Sequence, residues 1–162
     1  MRVIFCRHAK TEDTHPEGDH ARRLTQPGHE RAREVGPMIR ELGVDHAFVS
    51  TATRTRETFD ELGLDCPVEH LDDLYNASVD GVARALAESG VDAPRCALVV
   101  GHNPSMQAWV HALCVAAGAA EADAVAGSFP TAAFGAFDVT ASWEAFTAGQ
   151  PGEVSLVALH LR

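Results

Sequence analysis

Hydrophobic positions in this chain follow two patterns that alternate. Val3-Ile4-Phe5-Cys6, His46-Ala47-Phe48-Val49 and Ala97-Leu98-Val99-Val100 are short runs with almost no polar interruption. Such runs fit parallel strands buried on both faces. Pro67–Leu71 predicts a shorter strand. Ala133–Val139 and Val154–Leu161 predict the last two, separated by a loop containing Gly149, Pro151 and Gly152.

Between these runs, apolar residues return every three or four positions, as on one face of a helix. Thr25 predicts the N-cap of a helix running to Leu42, with Ala32, Val35, Ile39 and Leu42 on one face. Gly36-Pro37 predicts a kink or break there, since interior proline costs about 3 kcal/mol. Ser50 predicts the N-cap of a helix through Leu62. Ser78 opens another that ends at Gly90, with Val79, Val82, Ala83 and Leu86 inward. Asn103-Pro104 supplies the N-cap and first position of a further helix, with Trp109, Val110, Leu113 and Cys114 inward. Residues 11–24 are polar and aperiodic and read as a loop; residues 117–128 are rich in Ala and Gly and carry no assignable pattern. Strands alternating with helices predict an α/β domain with a mostly parallel sheet.

That topology gathers chemistry at one edge, because ligands bind beyond the carboxyl ends of such strands. The first strand delivers Arg7 and His8, and the second Ser50 and, a turn later, Arg54. The third delivers Asp72 and Asp73, and the fourth Gly101, His102 and Asn103. An imidazole can attack phosphorus without first losing a proton, and a guanidinium grips phosphate through paired donors. The helix start after His102 also favours an anion. Helical periodicity leaves the choice between Arg54 and Arg56 open, with Arg54 on the better face.

The net charge of −10 argues against nonspecific nucleic-acid binding and against an anionic membrane surface. It also means that a phosphate site must concentrate the few arginines locally. The length suits one domain spanning residues 1–162. No apolar stretch is long enough to span a membrane, and strand-like sequence begins at once, so a cytoplasmic protein is expected. Cys6, Cys66, Cys96 and Cys114 lie far apart and read as reduced thiols. His15, His20 and His29 lack ligand pairing and read as surface residues, so no metal is expected. Tyr75 and Trp109 read as packing residues.

Taken in order, these segments resemble the histidine phosphatase superfamily, and most closely its short bacterial SixA-like branch. The first strand with Arg7-His8-Ala9-Lys10 resembles the family's Arg-His-Gly motif. Arg22-Arg23-Leu24-Thr25 with Gly28 resembles Arg-Pro-Leu-Thr-x-x-Gly. Ser50 to Arg54, with Glu57-Thr58, resembles Ser-x-x-x-Arg-Ala-x-Gln-Thr. Leu74-Tyr75-Asn76-Ala77, Val100 to Pro104 and Phe129-Pro130-Thr131-Ala132 resemble three later segments. The resemblance implies a three-layer α/β/α sandwich of the phosphoglycerate-mutase-like kind. It implies His8 as phosphoryl acceptor, with Arg7, Arg54 and His102 holding phosphoryl oxygens and no metal or other cofactor. Arg22 is a candidate phosphate ligand by its match to the family's corresponding arginine. Asp73 is a candidate general acid by its place near the third strand end, with Asp19 as a rival. Ala9 stands where the family usually has Gly, so a left-handed backbone there would carry strain.

The expected substrate is a phosphorylated protein carrying phosphohistidine, since a short chain has little material for a lid. A small phosphate ester is the alternative, with loop 11–24 supplying pocket residues. A mutase, or a scaffold that binds phosphate without turnover, fits less well.

Overall fold

In a computed structural model describing all 162 residues, the apolar runs form one six-stranded sheet. Its strands are β1 (Arg2–Arg7), β2 (His46–Ser50), β3 (Val68–Leu71), β4 (Cys96–Gly101), β5 (Phe134–Val139) and β6 (Val154–His160), in the order β3-β2-β4-β1-β5-β6. The first four in that order are parallel; β5 runs antiparallel to β1, and β6 antiparallel to β5. The helices are α1 (Gln26–Glu41), α2 (Thr53–Leu62), α3 (Val79–Glu88), α4 (Ser105–Ala116), α5 (Ala122–Gly127) and α6 (Trp143–Thr147). One-turn 3-10 helices occupy Asp19–Ala21 and Asp72–Leu74.

The unbroken apolar runs have a simple cause. Successive strand residues point to opposite faces, and here both faces are covered. Val3 and Phe5 join a core with α3, α4, α5 and α6, while Ile4 and Cys6 join one with α1 and α2. Phe48 and Val99 fall on the first side, and Val49 and Val100 on the second. Phe5 stacks on Trp109 with centroids 5.1 Å apart, which accounts for the packing role expected of that tryptophan. The result is the three-layer sandwich.

Several local expectations need correction. Gly36-Pro37 does not break the first helix, since α1 runs continuously for 16 residues. Pro37 lies on its exposed side, where the carbonyl it leaves unpaired is open to solvent. Gly36 serves packing instead: a Cβ there would sit 2.4 Å from the Leu62 carbonyl oxygen, so α1 and α2 meet backbone to backbone. Ser50 is not an N-cap. It ends β2, and α2 begins after Ala52. Asn103 is not a cap either, because α4 begins at Ser105 and the Asn103 amide donates to the Phe129 carbonyl at 3.0 Å. The expected loop between β5 and β6 contains α6, capped by Ser142, whose Trp143 and Phe146 are buried.

One topological detail places the site. The helix after β1 covers one face of the sheet, and the helix after β4 covers the other. β1 and β4 are neighbours, so the winding reverses between their carboxyl ends, the place where such sheets bind ligands.

Candidate active site

Sheet register brings the two histidines together. Arg7 pairs with Gly101, so the next residues, His8 and His102, leave neighbouring strands side by side. Their ring centroids are 5.3 Å apart. The backbone that delivers His8 is tightly held. Arg7 N–H donates to the Ala133 carbonyl and His8 N–H to the Gly101 carbonyl, each at 3.0 Å. Ala9 is buried, and its N–H donates to Thr58 Oγ1 at 3.0 Å. The left-handed residue nearby is Ala132 (φ 61°), not Ala9; its N–H reaches the Arg7 and His8 carbonyls. The strain expected beside His8 therefore falls on the late segment that braces it.

The tautomer of His8 follows from its partner. Nδ1 lies 2.8 Å from the Ala9 carbonyl oxygen, which can only accept, so Nδ1 carries the hydrogen. Nε2 is left with its lone pair. Burial pushes the His8 pKa down to about 4; the Ala9 bond opposes this, and the charges of Arg54, Arg7 and Arg22 reinforce it. The ring is neutral at physiological pH.

His102 is 5% exposed, and its Nε2 lies 2.9 Å from Ser50 Oγ. That nitrogen is the only acceptor within reach of the Ser50 hydroxyl, while the Ala52 N–H approaches Ser50 Oγ at 3.5 Å. We therefore assign the Ser50 hydrogen to His102 Nε2, which leaves Nδ1 protonated. Burial, then the charges of His8 and Arg54, lower the His102 pKa to about 3.

Arg54 is 4% exposed, whereas Arg56 is exposed, so the structure decides between them. Arg54 donates through Nη1 to the Asp19 carbonyl (2.7 Å) and through Nη2 to Asp19 Oδ2 (3.0 Å). Arg7 donates through Nη1 to the Phe129 carbonyl at 2.9 Å. Arg22 is half-buried in the early loop, tied to the Glu12 carbonyl and to Asp19 Oδ1, each at 2.8 Å. Three buried nitrogens around His8 have no partner in the protein: Arg7 Nε, Arg54 Nε and His102 Nδ1. With the tautomer assigned to His102, all three are donors, the kind of group an oxyanion accepts from.

The carboxylates fall out differently from expectation. Asp73 lies on the exposed turn after β3 and makes no hydrogen bond or ion pair. Asp19 is also exposed, with half of its side chain open to solvent, but it is bonded to the site's arginines. Hydrogen bonds from Arg22 and Tyr75, with the charge of Arg54, hold its carboxyl well below the usual range, so it is ionised. Tyr75, expected to be a packing residue, also belongs here. Its hydroxyl donates to Asp19 Oδ2 at 2.8 Å, its ring meets His102 edge-on at 5.7 Å, and the Arg54 guanidinium lies over it at 5.8 Å. His20 packs edge-on against Tyr75 at 4.8 Å, with Nε2 3.1 Å from Thr51 Oγ1. The Leu-Tyr-x-Ala segment was the only signal in the sequence for Tyr75, and it gave no role.

None of the molecule's cavities is lined by Arg7, His8, Arg54 or His102. The largest, about 460 Å³, lies between α3, α4 and the segment after α6. A smaller one of about 180 Å³ opens beside Asp19 and Arg22, walled by the early loop. His8 and His102 are themselves largely covered, at 9% and 5% exposed.

Comparison with known proteins gives the family and the fold. Residues 3–88 match the model of the histidine phosphatase superfamily (branch 1). The chain is 34% identical over 161 residues to an uncharacterised protein of Mycobacterium tuberculosis, covering 96% of this chain and 98% of that one. Its structure is similar to that of a protein from Nakamurella multipartitia assigned as the phosphohistidine phosphatase SixA, with TM-score 0.81, 28% identity and coverage of 98% and 94%. The fold also matches a protein from Agrobacterium tumefaciens with the same assignment, with TM-score 0.77, 24% identity and coverage of 99% and 97%. The chain belongs to the histidine phosphatase superfamily, in its branch 1, and is a phosphatase.

Proposed function

We propose that this phosphatase removes phosphate from protein phosphohistidine, with His8 as the transient phosphoryl acceptor. The observation that carries the site assignment is the set of buried, unpartnered donors on Arg7, Arg54 and His102 around a histidine whose Nε2 lone pair is free. His8 Nε2 attacks phosphorus, and the P–N bond to the substrate imidazole breaks. The leaving imidazole takes its proton from solvent. Water then attacks the phosphoryl group on His8, releasing inorganic phosphate and restoring the neutral ring. Arg7, Arg54 and His102 hold the equatorial oxygens, and Arg22 adds charge from the loop. Fixed donors of this kind supply electrostatic stabilisation, each worth about 3 to 4 kcal/mol of the barrier.

The substrate class rests on two observations. Asp19, the carboxylate bonded to Arg54 and Arg22, is held ionised and has no proton to donate. Asp73 is exposed and joined to nothing in the site. An alcohol leaving group needs a proton from the enzyme; an imidazole, which is basic enough to take one from water, does not. The small cavity beside Asp19 and Arg22 favours the second reading, a small phosphate ester. One sheet takes in every strand, which supports a single domain over residues 1–162. Four free cysteines support a reducing, cytoplasmic setting. No helix is long and apolar enough to cross a membrane.

The test is a comparison of wild type and His8→Ala on a phosphohistidine-bearing protein, a phosphohistidine peptide and a panel of small esters. Turnover should be fastest on the phosphohistidine substrates and absent in the variant. Faster turnover of an ester by wild type would reject this substrate class. No turnover of any substrate would point to a phosphate-binding scaffold.

A further inference from the structure

We propose that Asp19 is a positioning residue: it sets the orientation of Arg54 and joins Arg22 to it, and does not act as an acid. This inference rests on Arg54 being part of the phosphate clamp. The contacts divide the Arg54 guanidinium in two. Both terminal nitrogens donate to Asp19, one to its carbonyl and one to Oδ2. Nε, on the other edge, is buried and has no partner. Asp19 therefore takes the end of the fork and leaves the side edge, Nε with one Nη hydrogen, for a phosphoryl oxygen pair. A guanidinium held at two points cannot rotate its plane, so the free edge has one direction.

The same carboxylate serves a second arginine. Oδ1 accepts from Arg22 Nη1 at 2.8 Å, while Oδ2 also accepts from the Tyr75 hydroxyl at 2.8 Å. Asp19 is thus the bridge between an arginine on α2 and one in the early loop. Without it Arg22 keeps only its bond to the Glu12 carbonyl. Asp19 also compensates charge: Arg54 is 4% exposed, and a buried guanidinium without a counter-ion is costly. Three arginines and one carboxylate leave a net charge of about +2, which matches a phosphoryl dianion.

The test is a double-mutant cycle on Asp19 and Arg54, read first as tungstate affinity by calorimetry, which needs no turnover. Tungstate is a tetrahedral oxyanion of the right shape. Arg54→Ala should weaken binding about 100-fold and Asp19→Ala about tenfold, while the double variant should match Arg54→Ala within about threefold. Asp19→Glu should recover part of the loss, and Asp19→Asn serves if the alanine variant does not fold. The second reading is kcat on esters of graded leaving-group pKa. A positioning residue lowers kcat by the same factor for all of them, whereas an acid matters most for the poorest leaving group. Additive losses in the cycle, tighter tungstate binding by Asp19→Ala, or a leaving-group-dependent loss would each overturn the proposal. Unchanged tungstate affinity in Arg54→Ala would instead overturn the placing of Arg54 in the clamp.

Discussion

Ser50 Oγ lies 2.9 Å from His102 Nε2, and both residues are buried. The contact decides which nitrogen of His102 carries the hydrogen. With Ser50 donating, Nδ1 carries the hydrogen, and under the proposed function it is the donor offered to a phosphoryl oxygen. Ser50→Ala removes that preference and leaves a buried ring nitrogen unpaired, at a cost of about 1 to 3 kcal/mol. kcat should fall about tenfold, since roughly 1.4 kcal/mol in the barrier is a factor of ten. Steady-state kinetics at pH 7 checks this; wild-type kcat in the variant would contradict the assignment.

Acid should unfold the protein through its two site histidines. Burial lowers both below the ordinary 6.5, His8 to about 4 and His102 to about 3. On acidification the unfolded chain binds protons first. The contribution to stability is therefore complete above pH 6.5, declines as pH falls below it, and is fully lost by about 4 for His8 and about 3 for His102. The loss attached to His8 is on the order of 3 kcal/mol, at about 1.4 kcal/mol per unit. Urea unfolding at pH 7 and pH 4.5 measures it, and His8→Gln should flatten the dependence. The acid limb of kcat/KM should likewise lie near pH 4; a limb at 6.5 would mean the nucleophile is not this buried ring.

Thr58 joins the two halves of the site. Its hydroxyl donates to the Arg54 carbonyl at 2.6 Å and accepts from the Ala9 N–H at 3.0 Å. Ala9 in turn holds His8 through its carbonyl. Thr58→Val keeps the shape but strands a buried N–H, which costs about 1 to 3 kcal/mol. The variant should melt several degrees lower and lose kcat, with KM changed less. Equal melting temperatures would show that the Ala9 N–H finds another partner.

How much of this was legible in the sequence depended on the range of the forces involved. The strands and the convergence of Arg7, His8, Arg54 and His102 were legible, because burial on both faces writes unbroken apolar runs and parallel order fixes the edge. Helix starts were legible only in part: Thr25 and Ser78 cap their helices as expected, while Ser50 and Asn103 do not. Ser50 has the right residue type for a cap, but its hydroxyl is claimed by His102, a partner 52 residues away. Gly36-Pro37 looked like a break because local cost was counted without the backbone contact to Leu62 that offsets it. Helix α6 spans five residues, too short to show a period. Asp19 and Tyr75 were the largest gap. An aperiodic loop gives no direction to its side chains, and a lone tyrosine gives no sign of the carboxylate it will meet.

Asp73 supplies the sharpest contrast with Asp19, since family position favours the first and geometry the second. Asp73 is exposed on the turn after β3 and pairs with nothing, so its removal disturbs no partner. Surface substitutions of that kind shift stability by no more than about 0.5 kcal/mol. Asp73→Ala should therefore keep turnover of phosphohistidine within about twofold of wild type. Ester turnover answers a further question in the same variant. If Asp73 swings in to protonate an alcohol, the ester rate will fall while the phosphohistidine rate holds, because only the alcohol needs the proton. Equal loss on both substrates would mean that Asp73 supports the site itself and that its exposed, unpartnered position understates its role.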